Sequence, residues 1–339
     1  MRKIRLGRTG LLVSKTAFGA LPIQRVDQET AAQILRRAYD AGINFFDTAH
    51  GYSDSEEKIG YALSDVRDRI ILATKAPSQT RDGAWREIET SLKRMKTGYI
   101  DLIQLHNPPV CPDPEDRNSA YAALLEAKEQ GLVRHIGITN HRTDVAEEAV
   151  RSGLYETLQY PLNYLSSERE QALIGLCAEH DVGLIAMKAL SGGLLTRADA
   201  PFAWMEQYAN VVPIWGIQRM SELEEFITLE SDPPRMDGEI GQVIAHDLKE
   251  LQGDFCRGCG YCLPCPQEIT IPMSARMSLL LRRAPAGPYL QPEWQEKMER
   301  IETCIECGQC RSRCPYELDV PNLLRRQLKD YREVLAAQS

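Results

Sequence analysis

Three polar side chains close successive apolar runs in the first part of the chain, and their types suit proton transfer. Asp47 ends GINFFD, Lys75 ends IILATK and His106 ends YIDLIQLH, while Tyr52 lies five residues past Asp47 in the turn TAHGY. A phenol is a poor acid at neutral pH because its ordinary pKa is near ~10, and an adjacent ammonium group stabilises the phenolate and lowers that value. Lys75 is the candidate ammonium, Asp47 the carboxylate that would keep it charged and oriented, and His106 an imidazole able to hydrogen-bond a substrate oxygen. Together the four would donate a proton to a carbonyl oxygen as hydride arrives at the carbon. Taken singly each has a structural reading: Tyr52 as packing in a turn, Lys75 as a solvated strand end, His106 as a satisfied core histidine.

A second set of reactive residues lies far from the first. Cys111 and Cys177 stand alone, whereas Cys256, Cys259, Cys262 and Cys265 form CRGCGYCLPC, and Cys304, Cys307, Cys310 and Cys314 form CIECGQCRSRC. Three cysteines at CxxCxxC spacing wrap one iron-sulfur cubane, and a fourth cysteine beside a proline ligates the other. On that logic one [4Fe-4S] cluster takes Cys256, Cys259, Cys262 and Cys314, and a second takes Cys304, Cys307, Cys310 and Cys265. The last gap is two residues in the first motif and three in the second. Zinc is the alternative occupant, but a zinc site needs four ligands in two pairs and leaves the middle cysteines unexplained. A disulfide framework belongs to an oxidising compartment.

The elements that must position these groups alternate. Apolar runs suited to buried strands occur near Thr16–Ala20, Ile43–Asp47, Ile70–Lys75, Ile100–His106, Val133–Ile138, Thr157–Tyr160, Gly183–Met187 and Val211–Gly216, with amphipathic stretches between most of them, such as Thr30–Ala41. Eight strands separated by helices match a parallel (β/α)8 TIM barrel, in which chemistry sits at the carboxyl ends of the strands. A doubly wound sheet is the competing fold, but its GxGxxG turn is missing: Gly19 is followed by Ala20, Leu21 and Pro22. The polar residues at the strand ends are then Asp47, Lys75, His106, Asn140, Gln159 and Lys188. Arg2–Val13 reads as a hairpin around Gly7 and Gly10, and DPPR after Ser231 marks a boundary, so the expected domains are a barrel over 1–235 and a small, mainly helical iron-sulfur domain over 236–339.

At 339 residues, 43% hydrophobic and net charge −8, the chain describes a soluble globular protein without the basic footprint of a nucleic-acid binder. No apolar run reaches the ~18 residues of a membrane span and the N-terminus lacks a signal-peptide core, so a cytoplasmic protein is expected.

FDTAHGY with SEEKIGYAL, then ILATKAP, YIDLIQLHNP and HIGITNH, in that order and preceded by RLGRTGLLVS, resemble the successive signatures of the aldo-keto reductase family over residues 1 to about 230. The resemblance implies a (β/α)8 barrel that uses NAD(P)H without a Rossmann domain, with Tyr52 as general acid, Lys75 and Asp47 tuning it, and His106 orienting the carbonyl. It further implies that Thr139, Asn140 and Gln159 hold the nicotinamide amide. Met187 stands where relatives place an aromatic ring, Lys188 can reach a phosphate, and Leu190 and Gly192 fall where a loop passes the pyrophosphate. Gly216, Gln218, Glu222 and Glu225 align with positions holding the adenosine half, where Arg219 would offset the repulsion between Glu222 and a 2′-phosphate; NADH and NADPH both stay open. In the tail, QEITIPMSARMSLLLRRA and PYELDVPNLLRR resemble helical two-cluster ferredoxin domains, which makes the whole chain similar to a ferredoxin-tailed subgroup of aldo-keto reductases. The expected activity is NAD(P)H-dependent reduction of a small-molecule carbonyl, or the reverse, by a protein with two [4Fe-4S] clusters. The alternative is an electron-transfer or redox-sensing protein whose barrel binds nicotinamide while the clusters exchange electrons with a redox partner protein.

Overall fold

The computed structural model describes residues 1–251, 255–283 and 286–337. An antiparallel hairpin, β1 (Lys3–Arg5) and β2 (Leu12–Ser14), precedes eight parallel strands: β3 (Ala17–Gly19), β4 (Phe45–Asp47), β5 (Ile71–Ala76), β6 (Ile100–His106), β7 (Val133–Thr139), β8 (Thr157–Pro161), β9 (Gly183–Met187) and β10 (Val211–Gly216). They close into a barrel in chain order, with β10 pairing both β9 and β3. Helices α1 (Gln28–Asp40), α2 (Ser55–Leu63), α3 (Arg81–Arg94), α4 (Ala120–Glu129), α5 (Thr143–Ser152), α6 (Glu168–Glu179), α7 (Asp199–Glu206) and α8 (Met220–Ser231) follow the successive strands. This is the TIM-barrel fold that the alternating pattern predicts.

Local chemistry explains the joints. The α1 helix starts where the Asp27 carboxylate accepts the Thr30 N–H at 2.9 Å, and it buries Ala31, Ile34, Leu35 and Ala38 at the i, i+3, i+4, i+7 positions of one face. Ser167 and Glu170 form a reciprocal capping box at the start of α6. At the amino end of the barrel, Leu6 and Val13 of the hairpin pack into a cluster with Ala17, Phe45, Ala73, Leu102, Ile185, Val212 and Ile214. Gly7 permits this closure, since a Cβ there would collide with the Gly183 backbone and its φ is +50°. With that end plugged by apolar side chains, only the carboxyl end of the barrel is left for polar chemistry.

Contact clustering separates two compact units: Met1–Ala189 with Ala198–Gly241, and Leu190–Arg197 with the chain from Gln242 onward. The short stretch after β9 therefore belongs with the tail, a feature that no composition shift marks. The second unit holds α9 (Gly238–Glu250, which crosses the boundary), α10 (Ile271–Ser274), α11 (Met277–Arg283), α12 (Pro292–Glu299), α13 (Gln309–Ser312) and α14 (Val320–Ala336). Its core is built on the apolar stripe of α14, Val320, Leu323, Leu324, Leu328 and Tyr331, against Ile269, Ile271, Met277 and Met298, with five of the cysteines packed at its edge. Among the described residues, no helix is long and apolar enough to cross a membrane.

One buried cation ties the barrel's closing strand in place. Lys15 is 2% exposed, and its ammonium donates to the carbonyls of Met205 (3.2 Å), Tyr208 (2.5 Å) and Val211 (2.7 Å). Lys15→Met leaves those carbonyls without this donor, so urea denaturation followed by tryptophan fluorescence is expected to show a barrel destabilised by about 2–4 kcal/mol; a change below about 0.5 kcal/mol would contradict the assigned role.

Candidate active site

Asp47 closes β4, in register with Gly19 on one side and Ala73 on the other, and Lys75 lies beside Gln104 on the neighbouring pair of strands. Their side chains meet inside the barrel. The Lys75 ammonium donates to Asp47 Oδ2 at 2.7 Å and to the Thr48 carbonyl at 2.5 Å, with both charged groups at most 2% exposed. Gln104 Nε2 donates to Gln159 Oε1 at 2.9 Å and to Asp47 Oδ1 at 3.3 Å, and Gln159 Nε2 approaches Asp47 Oδ2 at 3.5 Å. The Asp47 carboxylate is therefore held by an ammonium and two amides.

Tyr52 reaches this group from the turn after β4, where its N–H bonds the Ala49 carbonyl and its carbonyl accepts from Ser55 at the start of α2. The Lys75 ammonium lies 5.1 Å from the centre of the phenol ring. The His106 ring, at the end of β6, stands edge-on to it with centroids 5.9 Å apart at 80°. All four residues singled out for proton chemistry are thus brought together at the carboxyl end of the barrel.

Burial raises the Asp47 carboxyl above the ordinary carboxylate range and lowers the Lys75 ammonium, and the attraction between the two opposes both shifts. Burial, and then the Asp47 charge, pushes the Tyr52 phenol well up. That is the reverse of the lowering expected from a neighbouring ammonium, because desolvation of the phenolate dominates. Burial and then Lys75 bring the His106 imidazole from 6.5 down to about 3. At neutral pH the site presents a protonated phenol and a neutral imidazole.

The remaining expected residues divide into groups. Thr139 Oγ1 accepts the Asn107 N–H at 3.1 Å. Asn140, fully buried, donates to the Pro108 carbonyl at 2.8 Å and accepts the Arg142 N–H at 2.8 Å. A primary amide has two N–H donors and two lone pairs, so Asn140 and Gln159 each keep capacity for a ligand amide. Met187 packs on the interior cluster of the barrel, and the Lys188 carbonyl accepts from Asn163 at 3.0 Å. Leu190 and Gly192 lie in the second unit. Gly216 is exposed at the end of β10. At the start of α8 the Glu222 carboxylate accepts the N–H groups of Gln218 (2.9 Å) and Arg219 (3.1 Å) and pairs with the Arg219 guanidinium at 2.7 Å, so both charges are engaged with each other and with the helix start. Glu225 is exposed on the same helix. Gln104 was not anticipated: it sits inside an apolar run, and its only signal is its place two residues before His106, on the same face of the strand.

In the second unit Cys262, Cys265, Cys304, Cys307 and Cys310 line one cavity. Gln309 Nε2 donates to the Pro264 carbonyl at 2.6 Å and Arg313 to the Leu263 carbonyl at 3.2 Å, so the second motif grips the turn just before Cys265. Cys256 lies near the thiols of Cys259, Cys262 and Cys314, Cys304 near those of Cys265, Cys307 and Cys310, and Cys262 also near that of Cys310. Burial pushes Cys262 up to about 12. The last cysteine of each motif thus neighbours a thiol of the other motif, and a thiol as buried as Cys262 ionises only with a compensating cation. Among the described residues, no three His, Cys, Asp or Glu side chains close on a point as a single ion requires; the thiols surround a space.

Both parts of the chain match known families. Residues 15–210 match the model of the aldo/keto reductase family and residues 255–319 that of a 4Fe-4S dicluster domain. An uncharacterized oxidoreductase of Bacillus subtilis is 32% identical over 58% of this chain and 67% of its own length. A 6-dehydroglucose reductase of Novosphingobium aromaticivorans is 33% identical over 65% of this chain and 88% of its own. Among solved structures, an aldo-keto reductase of Klebsiella pneumoniae in complex with NADPH has the same fold, with a TM-score of 0.63 over 73% of this chain and 95% of that one at 21% identity.

The low His106 value carries a sign. As pH falls below 6.5 the unfolded chain takes up this proton first, so the stability tied to the neutral ring is full above 6.5 and is lost as pH falls toward 3. NMR of the His106 ring is expected to show no titration between pH 5 and 8, and a midpoint near 6.5 would contradict the half-buried, Lys75-facing placement.

Proposed function

The chain belongs to the aldo/keto reductase family and carries a C-terminal 4Fe-4S dicluster domain, and from that premise we propose that it reduces a small-molecule carbonyl to an alcohol at the strand-end site, with Tyr52 as the proton donor. The observation that carries the reading is the convergence of the Tyr52 and His106 rings on the buried Asp47–Lys75 pair. The nicotinamide of NADH or NADPH, when bound, supplies the hydride to the carbonyl carbon. The chain does the rest.

The neutral His106 imidazole donates an N–H to the carbonyl oxygen and orients it. Tyr52, kept protonated by burial, transfers its phenolic proton to that oxygen as charge develops there, and the alcohol results. Lys75, 5.1 Å from the ring centre, stabilises the phenolate left behind, and Asp47 with Gln104 and Gln159 keeps Lys75 charged and aimed. Asn140 and Gln159 offer their remaining amide capacity to the nicotinamide amide, with Thr139 bracing the adjoining loop. Met187 packs against the ring, Lys188 with the Leu190–Gly192 loop takes the pyrophosphate, and Gly216, Gln218, Arg219, Glu222 and Glu225 hold the adenosine half.

The eight tail cysteines hold two [4Fe-4S] clusters in the crossed arrangement, Cys256, Cys259, Cys262 and Cys314 for one and Cys265, Cys304, Cys307 and Cys310 for the other. Support comes from the shared cavity and from the grip of Gln309 and Arg313 on the turn before Cys265. The reduction needs no electron from them.

Tyr52→Phe is expected to lower single-turnover reduction of a reactive aldehyde by about 10²–10⁴-fold while the protein keeps about eight iron atoms per chain. Unchanged turnover would remove Tyr52 as the donor, and about four iron atoms or fewer would remove the two-cluster assignment.

A further inference from the structure

We propose that Arg276 is a positioning residue that clamps the loop Leu190–Arg197 to the first cysteine motif, so that dinucleotide binding depends on the cluster-bearing unit; the inference rests on the cofactor reading given above. Arg276 is 7% exposed. A guanidinium so buried is tolerated only when its donors are satisfied. Its Nε donates to the Pro272 carbonyl at 3.0 Å, one terminal nitrogen donates to the Gly192 carbonyl at 3.1 Å, and the other faces Met273 Sδ at 3.4 Å. One planar fork thus joins the helical segment after the first motif to the loop that follows β9 in the chain.

Two glycines make room for it. A Cβ on Gly192 would stand 2.8 Å from an Arg276 nitrogen, and one on Gly258, inside CRGCGYC, would stand 2.9 Å from the guanidinium carbon. Both residues also have positive φ, +66° and +65°. Any side chain at either place would push the guanidinium away. On the motif side, the Gly258 N–H points at Cys256 Sγ at 3.4 Å, and the Arg276 charge favours the thiolate form of Cys256. On the loop side, Ser191, Gly192 and Gly193 take three successive positive φ values of +51°, +66° and +91°. The two glycines adopt this region freely, whereas Ser191 is kept in it by its surroundings. Its internal bonds, from Gly193 and Leu195 to the Leu190 carbonyl at 3.0 and 3.2 Å, define one compact shape.

The loop on which Leu190 and Gly192 sit is therefore held by the cysteine unit through Arg276. An ordered first motif keeps the loop in one shape, and loosening that motif lowers the fraction of chains whose loop is ready for the dinucleotide.

The test compares the full-length, cluster-loaded protein with its Arg276→Gln and Arg276→Lys variants by three readouts: iron and acid-labile sulfide content, hydrogen exchange at the Gly193 and Leu195 amides, and fluorescence titration with NADH and NADPH. Arg276→Gln is expected to keep its iron, to exchange those amides about tenfold faster and to bind the dinucleotide about tenfold more weakly, because apparent affinity falls with the ordered fraction. Arg276→Lys, which keeps the charge without the fork, falls between wild type and Gln. Full iron with unchanged exchange, or faster exchange with unchanged affinity, overturns the proposal. If the Gln variant loses iron, the Lys variant decides by the same two criteria. Absence of dinucleotide binding by the wild type would overturn the cofactor reading instead, and the exchange rates would then decide the clamp alone.

Discussion

Everything at the strand-end site depends on keeping an ion pair charged where water cannot reach it. Asp47 and Lys75 are both within 2% of complete burial, and removing such ions from water costs several kcal/mol each. Direct attraction at 2.7 Å recovers part of that. The rest comes from neighbouring polar groups: the Thr48 carbonyl on the ammonium, and the amides of Gln104 and Gln159 on the carboxylate. Truncating one partner would strand the other charge. The pair also sets the field for its neighbours, since Asp47 helps raise the Tyr52 phenol and Lys75 helps hold the His106 ring neutral.

The second unit solves a related problem with sulfur. Its small core of α14 side chains and flanking helices brings two groups of mostly half-buried thiols together, and burial opposes ionisation of Cys256, Cys262, Cys304 and Cys310. The match to a dicluster domain over residues 255–319 gives that arrangement its reason, because metal-bound sulfur is thiolate. The unit also includes the loop after β9, so the two domains are interleaved in sequence at a segment tied to cofactor binding in the proposed function.

Much of this was legible in the sequence because the physics involved is local. Parallel strands covered on both sides must be nearly continuous apolar runs, so Ile100–His106, Gly183–Met187 and Val211–Gly216 were found with their observed bounds. The polar residues ending such runs were visible for the same reason. Gln104 was hidden because its partners, Asp47 and Gln159, come from other strands and meet it only once the barrel closes. The direction of the Tyr52 shift is not legible in the sequence, since proximity to Lys75 can be read from strand order whereas the depth of burial cannot. Glu222 reads as a carboxylate whose repulsion of a 2′-phosphate Arg219 would offset, and the structure pairs the two at the start of α8. The membership of Leu190–Arg197 in the tail unit rests on contacts made about eighty residues away, at Arg276, and left no trace in composition.

The central claim is that Asp47 and Lys75 act as one unit in supporting proton donation by Tyr52. A double-mutant cycle on single-turnover carbonyl reduction, with Asp47→Asn, Lys75→Met and the double variant at full iron content, tests it most directly. The account predicts that the double variant loses little more activity than the worse single variant, as expected when either change disables the same device. Losses that multiply independently would contradict it.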